Sequence, residues 1–202
     1  MLSHYLCEVC LQILESQEPP NEEYFRNQFH RVAPMLEFAY SGSAYSFVAD
    51  SPMQSIIHAF KYSGMQRLAT KLGRGISGLA PASTAVLIPV PLHRTRMAER
   101  GYNQAEALAR GIAKRSNCQV IRAVKRVMPT PTQTNRTLPE RIENVRDAFS
   151  LTRHASKIKG KNVLIVDDVM TTGSTLASVA ETILLAKPKS VSILALAAAT
   201  MG

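Results

Sequence analysis

The segment KNVLIVDDV, at residues 161–169, constrains the fold more than any other part of the chain. Its run of four aliphatic residues predicts a strand that is buried on both faces, which is typical of a parallel sheet. A helical pattern, STLASVAETILLAK, follows and stops before Pro188, and SVSILALAAA then predicts another buried strand. This alternation of strand and helix predicts an α/β fold with an open, doubly wound parallel sheet.

The same alternation extends upstream to about residue 52. MQSIIHAFKYSG predicts a helix, AVLIPVPL predicts a strand that ends at its prolines, and NQAEALARGIAKR predicts an amphipathic helix. Residues 126–149, in contrast, have no helical or strand period. A loop of that length inside a compact domain is usually functional, so we expect this segment to serve the site.

The first 51 residues have a different composition. They are polar and acidic, they are broken by two consecutive prolines, and SGSAYSFVADSP at residues 41–52 predicts turn or edge structure. We therefore predict two units, an N-terminal segment at residues 1–51 and a main domain at residues 52–202.

The bulk composition limits the functional classes. With 46% hydrophobic residues, the 202-residue chain can bury one core. It has no apolar run of roughly 18 residues, so we expect no membrane insertion. The start of the chain lacks the order of a secretion signal and only three cysteines are present, which together predict a cytoplasmic protein. The net charge of +9 favours anionic partners such as phosphates, nucleotides or nucleic acid.

Two aspartates and a glycine turn follow the strongest predicted strand. Ligands of open parallel sheets bind at the carboxyl ends of the strands, where Asp167 and Asp168 fall. Gly173 permits a tight turn whose N–H groups, with those of the following helix, can bind phosphate, and four neighbouring hydroxyls add donors. The carboxylates suit sugar hydroxyls or a hydrated metal ion instead. A ribose 5-phosphate satisfies both halves, whereas the Walker and dinucleotide glycine patterns are absent.

These residues resemble a known family. VLIVDDVMTTGST resembles the motif with which type I phosphoribosyltransferases bind 5-phosphoribosyl 1-pyrophosphate (PRPP). PVPLHRTRMAERGYNQAEALA at residues 89–109, TPTQTNRTLPERIENVRDAF at residues 130–149, and FKYSG at residues 60–64 resemble signatures of the ComF/GntX family. The resemblance covers about residues 52–202, and it implies the type I phosphoribosyltransferase fold with a flexible hood loop.

The resemblance also implies roles for individual residues. Asp167 and Asp168 would contact the ribose hydroxyls, and residues 126–149 would form the hood that closes over PRPP. Arg136 and Arg141 in that hood, together with Arg126, would meet the pyrophosphate as catalytic cations, and Mg²⁺ would accompany PRPP. The 5′-phosphate would be held by Thr171, Thr172, Gly173, Ser174 and Thr175. The pyrophosphate loop would consist of Val90, Pro91, Leu92 and His93.

The implied activity is the transfer of phosphoribosyl from PRPP to an unknown acceptor with release of pyrophosphate, and the family likeness adds a role in DNA uptake during natural competence. Relatives that act on 6-oxopurines carry an aspartate where this chain has Thr171, and this difference disfavours guanine and hypoxanthine as acceptors. The alternative is a non-catalytic factor for DNA uptake that binds PRPP or single-stranded DNA. An enzyme is favoured, and the oligomeric state is left open, with a homodimer among the options.

One cysteine pair bears on metal binding. ComF-like proteins commonly begin with a four-cysteine zinc module, and Cys7 and Cys10 resemble one of its two pairs. A tetrahedral zinc site needs four ligands, and the second pair is missing. We therefore expect no zinc and interpret residues 1–51 as a degenerate or truncated remnant of that module, in which these two cysteines are weak zinc candidates.

Overall fold

The computed structural model describes residues 7–16, 18–128 and 148–199. Five strands form one parallel sheet, and two short strands form a separate antiparallel pair. The strands of the main sheet are β1 (Tyr40–Phe47), β2 (Val86–Pro89), β3 (Gln119–Val120), β6 (Asn162–Met170) and β7 (Ser190–Ala199), and the pair consists of β4 (Val124–Arg126) and β5 (Phe149–Leu151). The order across the main sheet is β1-β7-β6-β2-β3.

Helices cover both faces of this sheet. They are α1 (Glu8–Ser16), α2 (Glu22–Val32), α3 (Pro52–Tyr62), α4 (Gln66–Gly75), α5 (Arg94–Arg100), α6 (Gln104–Ala113) and α7 (Ser174–Leu184), with 3-10 turns at Ile76–Leu79 and Ala155–Ile158. None of the helices in the described ranges is long and apolar enough to cross a membrane.

Strand β6 shows why the sheet has helices on both sides. Val163 and Ile165 belong to the core that contains α2 and α7, whereas Leu164 and Val166 belong to the core that contains α3, α4 and α6. All four side chains are essentially buried. The prediction of an open, doubly wound parallel sheet from this run of aliphatic residues is confirmed.

The helices α4 and α6 pack closely because each contributes a glycine to the contact. A Cβ atom added at Gly73 would overlap the carbonyl oxygen of Leu108, and one added at Gly111 would overlap the carbonyl oxygen of Thr70. Backbone therefore contacts backbone at this crossing. The close approach fixes the position of α6, whose first residues border the functional site described below.

The sheet crosses the boundary expected between residues 51 and 52. Strand β1 precedes this boundary and pairs with β7 in parallel register from Tyr40 opposite Ser192 to Phe47 opposite Ala199. Helix α2 also precedes it and buries Phe25 in the same core as α7. These two elements are therefore integral to the main fold, and the idea of a zinc-module remnant stays a prediction for the start of the chain.

The segment expected to form a hood lies for the most part outside the described residues, because these omit residues 129–147. Its flanks are described. Arg126 in β4 is opposite Phe149 in β5, so the antiparallel pair holds the two ends of the segment together. The hood itself stays a prediction.

Candidate functional site

A cleft of about 370 Å³ lies where β2 and β6 reach their carboxyl ends. It is the position at which an open parallel sheet binds its ligands. Acidic, basic and small polar side chains from several separate segments of the chain meet there. Its lining includes Lys61, Val90, Pro91, Leu92, His93, Arg96, Arg100, Asn103, Gln104, Arg126, Asp167, Asp168 and Thr175.

Both aspartates line this cleft because the strand's alternation is interrupted between them. Val166 and Val169, three residues apart, pack on the same face of the sheet, which regular β-structure does not allow. The N–H of Asp168 donates to the Asp167 carboxylate (2.9 Å), and the N–H of Val169 donates to the Asp168 carboxylate (2.9 Å). These local bonds hold the two carboxylates in place and let them lie side by side.

Asp167 is buried rather than solvent-facing, with 9% of its surface exposed. Burial raises the pKa of its carboxyl well above the usual range, the adjacent charge of Asp168 raises it further, and the nearby Lys61 opposes the shift. The raised pKa means that the negative charge of the Asp167 carboxylate is only partly compensated in the protein. A cation, or hydrogen-bond donors such as sugar hydroxyls, would compensate that charge, so the pair is suited to ligands of these kinds.

The turn that follows the aspartates is built on Gly173, whose φ of 81° lies in the left-handed region. This glycine precedes α7, and no side chain caps the helix at that position. Within the turn, the Thr172 hydroxyl lies 2.9 Å from the Ser174 hydroxyl and accepts a hydrogen bond from the Ser174 N–H. The start of α7 therefore presents N–H groups toward a ligand without a carboxylate cap in the way.

The five residues expected to bind phosphate are placed differently from one another. Thr175 lines the main cleft together with the aspartates. Thr171, Thr172 and Gly173 line a small adjoining cavity of about 30 Å³ that also borders Asp167. Ser174 lines neither cavity, and its hydroxyl already contacts Thr172.

The loop expected to bind pyrophosphate, residues 90–93, lines the cleft in full. Its first residue is held on both sides, because the Val90 N–H donates to the Val166 carbonyl (2.9 Å) and the Val90 carbonyl accepts from the Asn103 side-chain amide (2.9 Å). Asn103 also caps α6. His93 caps α5 by accepting from the Thr95 N–H, so its ring orders the end of the loop.

Four cationic side chains of the described residues line the cleft, namely Lys61, Arg96, Arg100 and Arg126. Arg96 also pairs with Glu99 (2.9 Å). Arg126 lies over the ring of Phe149 at 5.3 Å from the centroid. Burial lowers the pKa of this guanidinium, Asp167 opposes the shift and Arg96 adds to it. The cleft therefore carries more positive than negative groups, a balance that suits a highly anionic ligand.

The matches with known proteins place this site in a family. Residues 97–201 match the model of the phosphoribosyl transferase domain. The DNA utilization protein YhgH of Escherichia coli K12 is 30% identical over 191 residues, which cover 90% of this chain and 73% of that protein. The chain belongs to the phosphoribosyltransferase family, on its ComF-like branch.

Two further proteins are similar over shorter or more divergent stretches. Competence protein F of Haemophilus influenzae is 38% identical over 96 residues, 47% of this chain and 42% of that protein. The solved glutamine PRPP amidotransferase of B. subtilis is 17% identical, has a TM-score of 0.45, and is matched over 63% of this chain and 26% of its own.

Lys61 lines this phosphoribosyltransferase-like cleft although no role was predicted for it from the sequence. Lys61 follows Phe60 at the end of α3, and the Phe60 carbonyl accepts from the Tyr102 hydroxyl (2.9 Å) and the Gln104 amide (3.1 Å). Burial and the charge of Asp168 raise the pKa of Tyr102 to about 12, so its hydroxyl stays protonated and donates. The sequence does contain one signal for this residue: Lys61 lies at the end of a predicted helix and within FKYSG, a segment that resembles a ComF/GntX signature.

Some expected site residues fall outside this geometry. Arg136 and Arg141 lie outside the described residues. Cys7 is exposed, and Cys10 lies in α1. The described part of the chain holds no cluster of three or more side chains able to bind a metal ion. The absence of zinc stays a prediction, and elemental analysis that finds one zinc per chain would contradict it.

Proposed function

We propose that this protein binds PRPP together with Mg²⁺ and transfers the phosphoribosyl group to an acceptor, releasing pyrophosphate. The observation that carries the proposal is the convergence of the Asp167–Asp168 pair, Thr175, the 90–93 loop and four cations in one cleft. Each of these groups matches the chemistry of a different part of PRPP.

The ribose and its 5′-phosphate match the acidic pair and the glycine turn. Asp167 and Asp168 accept hydrogen bonds from the ribose hydroxyls. The N–H groups at the start of α7 and the hydroxyls of Thr171, Thr172 and Thr175 hold the phosphate, because helix N-termini favour negative charge.

The pyrophosphate matches the 90–93 loop and the cations around it. Breaking the bond from the anomeric carbon to oxygen leaves negative charge on the pyrophosphate, which Lys61, Arg100 and Arg126 stabilise. Arg136 and Arg141 would join them if residues 126–149 close over the ligand, which would also exclude water from the reacting carbon.

The donor set fits the magnesium ion that this reaction class uses. Mg²⁺ requires oxygen ligands and is typically held by one or two carboxylates, several waters and substrate phosphates. Asp167 and Asp168 supply the carboxylates, and no all-protein cage is needed. When bound, the ion neutralises charge on the pyrophosphate.

The acceptor and the biological role follow from different observations. Thr171 stands where enzymes of 6-oxopurine salvage carry an aspartate, which argues against those bases. Relatives named as a DNA utilization protein and a competence protein favour a role in DNA uptake. A non-catalytic PRPP-binding factor is the second candidate, because the cleft can bind PRPP without an acceptor.

The decisive experiment is calorimetric titration of PRPP with and without Mg²⁺, followed by an assay of pyrophosphate release over a panel of candidate acceptors. We expect magnesium-dependent binding by the wild type and much weaker binding by Asp168→Asn. Glu181→Gln, on the remote part of α7, removes the same charge and should bind like wild type. Binding without turnover would favour the non-catalytic candidate, and no binding of PRPP by the wild type would refute both.

A further inference from the structure

The aromatic ring of Phe29 closes the outer side of the Gly173 turn. Phe29 belongs to α2 and is 3% exposed. The three heavy atoms nearest to a Cβ placed on Gly173 all belong to this ring, the nearest, Cε1, at 3.2 Å. The site residues of this turn were identified from their own segment, but its packing partner lies more than a hundred residues earlier in the chain.

Phe29 is itself held firmly in this position. Asn21 caps the start of α2, and its side chain accepts from the Tyr24 N–H (2.9 Å). The Tyr24 hydroxyl donates to the carbonyl of Ala199 at the end of β7, next to the strand that carries the aspartates. On its other side the Phe29 ring packs against Phe38, with ring centroids 4.6 Å apart. The helix is thus tied to the same edge of the sheet as the cleft.

The turn needs such support because it has little of its own. Gly173 has no side chain, its left-handed φ is accessible to glycine among many other conformations, and no side chain caps α7 there. Its internal hydrogen bonds join Thr172 and Ser174 only to each other. A phosphate subsite that contacts ligand through backbone N–H groups requires a fixed backbone, since binding geometry depends on the supporting shell.

We propose that Phe29 is a positioning residue for the 5′-phosphate subsite: it touches no ligand, but it holds the Gly173 turn in the conformation that binds phosphate. The inference rests on the proposed function, and it gives α2 a part in the site rather than in the core alone.

The matched comparison is between two phenylalanines of the same helix. Phe25 lies one turn before Phe29, is fully buried and belongs to the same core, but its ring packs against Tyr24. Phe25→Ala and Phe29→Ala therefore remove the same side chain from the same core. A merely structural role for Phe29 predicts the same consequences for both variants.

Two measurements separate the roles. Hydrogen exchange of the ligand-free proteins at residues 171–176 should be faster in Phe29→Ala than in Phe25→Ala. Calorimetry with ribose 5-phosphate should show about a tenfold to hundredfold loss of affinity in Phe29→Ala relative to Phe25→Ala, which is the loss expected when one hydrogen bond to the charged phosphate is broken. Binding of inorganic pyrophosphate should be the same in both. Phe29→Leu, which refills the space, should restore most of the ribose 5-phosphate affinity.

The outcomes are distinct. Equal exchange at the turn and equal ribose 5-phosphate affinity in the two alanine variants would overturn the positioning role while leaving the proposed function intact. If the wild type binds neither ribose 5-phosphate nor PRPP but exchange at the turn still depends on Phe29, the proposed function fails and the support of the turn by Phe29 stands. If Phe29→Ala does not fold, Phe29→Val, which leaves part of the ring's space empty, is compared with Phe25→Val, and equal exchange and affinity in that pair would count against the role.

Discussion

Changing Asp167 to asparagine should weaken PRPP binding without destabilising the protein. The substitution removes the charge but keeps an oxygen that can accept the hydrogen bond from the Asp168 N–H, so the local strand geometry is retained. The two consequences of the lost charge have opposite signs. In the complex the charge helps to bind, whereas in the ligand-free protein it is buried beside another carboxylate.

The binding loss follows from the strength of the hydrogen bonds. A bond to a charged group contributes about 1.5–3 kcal/mol and a bond between neutral groups about 0.5–1.5 kcal/mol. The charge at one ribose hydroxyl is therefore worth about 1–1.5 kcal/mol, or about a five- to tenfold loss of affinity, with a further loss if the carboxylate also holds magnesium. Calorimetric titration of PRPP with Mg²⁺ measures this change.

The stability effect follows from burial. Because burial and the charge of Asp168 raise the pKa of Asp167, the ionised carboxylate is less favourable in the folded than in the unfolded chain at neutral pH. Removing it should leave the melting temperature unchanged or raise it. An Asp167→Asn protein with wild-type affinity, or with a melting temperature several degrees lower, would refute the reasoning. Glu181→Gln controls for the loss of one charge.

Three further outcomes are expected. Gly111→Ala should destabilise the fold by about 1–3 kcal/mol in denaturant titration, because the added methyl group overpacks the α4–α6 crossing. Gly75→Ala in α4, where the added methyl group meets open space, should be neutral or stabilising. Burial would raise the pKa of Glu106, but the hydrogen bonds and charges of Arg122 and Arg110 outweigh burial and lower it, so this glutamate stabilises the fold above its ordinary pKa of 4.5. That contribution is lost as pH falls through the lowered value, so acid titration should destabilise wild type more steeply than Glu106→Gln, and parallel curves would contradict this. The excess of 24 Lys and Arg over 15 Asp and Glu should give weak single-stranded DNA binding that falls steeply with salt in a fluorescence titration, and salt-independent binding would exclude a phosphate-driven contact.

The sequence predicted the parts of the fold that depend on local pattern. The aliphatic runs of β6 and β7 are buried on both faces, and this alone placed Asp167 and Asp168 at the carboxyl edge of a parallel sheet. Strand β2, which precedes the 90–93 loop, was also predicted from local pattern, because its run of apolar residues ends at prolines.

The parts that depend on distant contacts could not be predicted from local pattern. Strand β1, YSGSAYSF, lies at the edge of the sheet, as its small polar residues predict, but its pairing with β7 in the main sheet could not be predicted from its own segment. Lys61 lines the cleft because the fold brings the end of α3 close to Asp167, a contact that the local pattern of the FKYSG segment does not predict. The sequence places both aspartates at a strand end, but it does not predict the interruption between Val166 and Val169 that turns both side chains into one cleft.

The pairing of β1 with β7 has a consequence for how the chain acquires its structure during synthesis. β1 emerges early from the ribosome, but its sheet partner lies about 150 residues later in register, and β7 also fills the space between β1 and β6. Until β7 has been made, β1 has no neighbour in the sheet and α2 has no completed core to cover. Such long-range pairing slows folding, because the chain must be ordered over a long loop before the contact stabilises it. Strand β1 and helix α2 therefore cannot complete their packing until β7 has been made, and during that interval the aromatic face of α2 is apolar surface of the kind that chaperones protect.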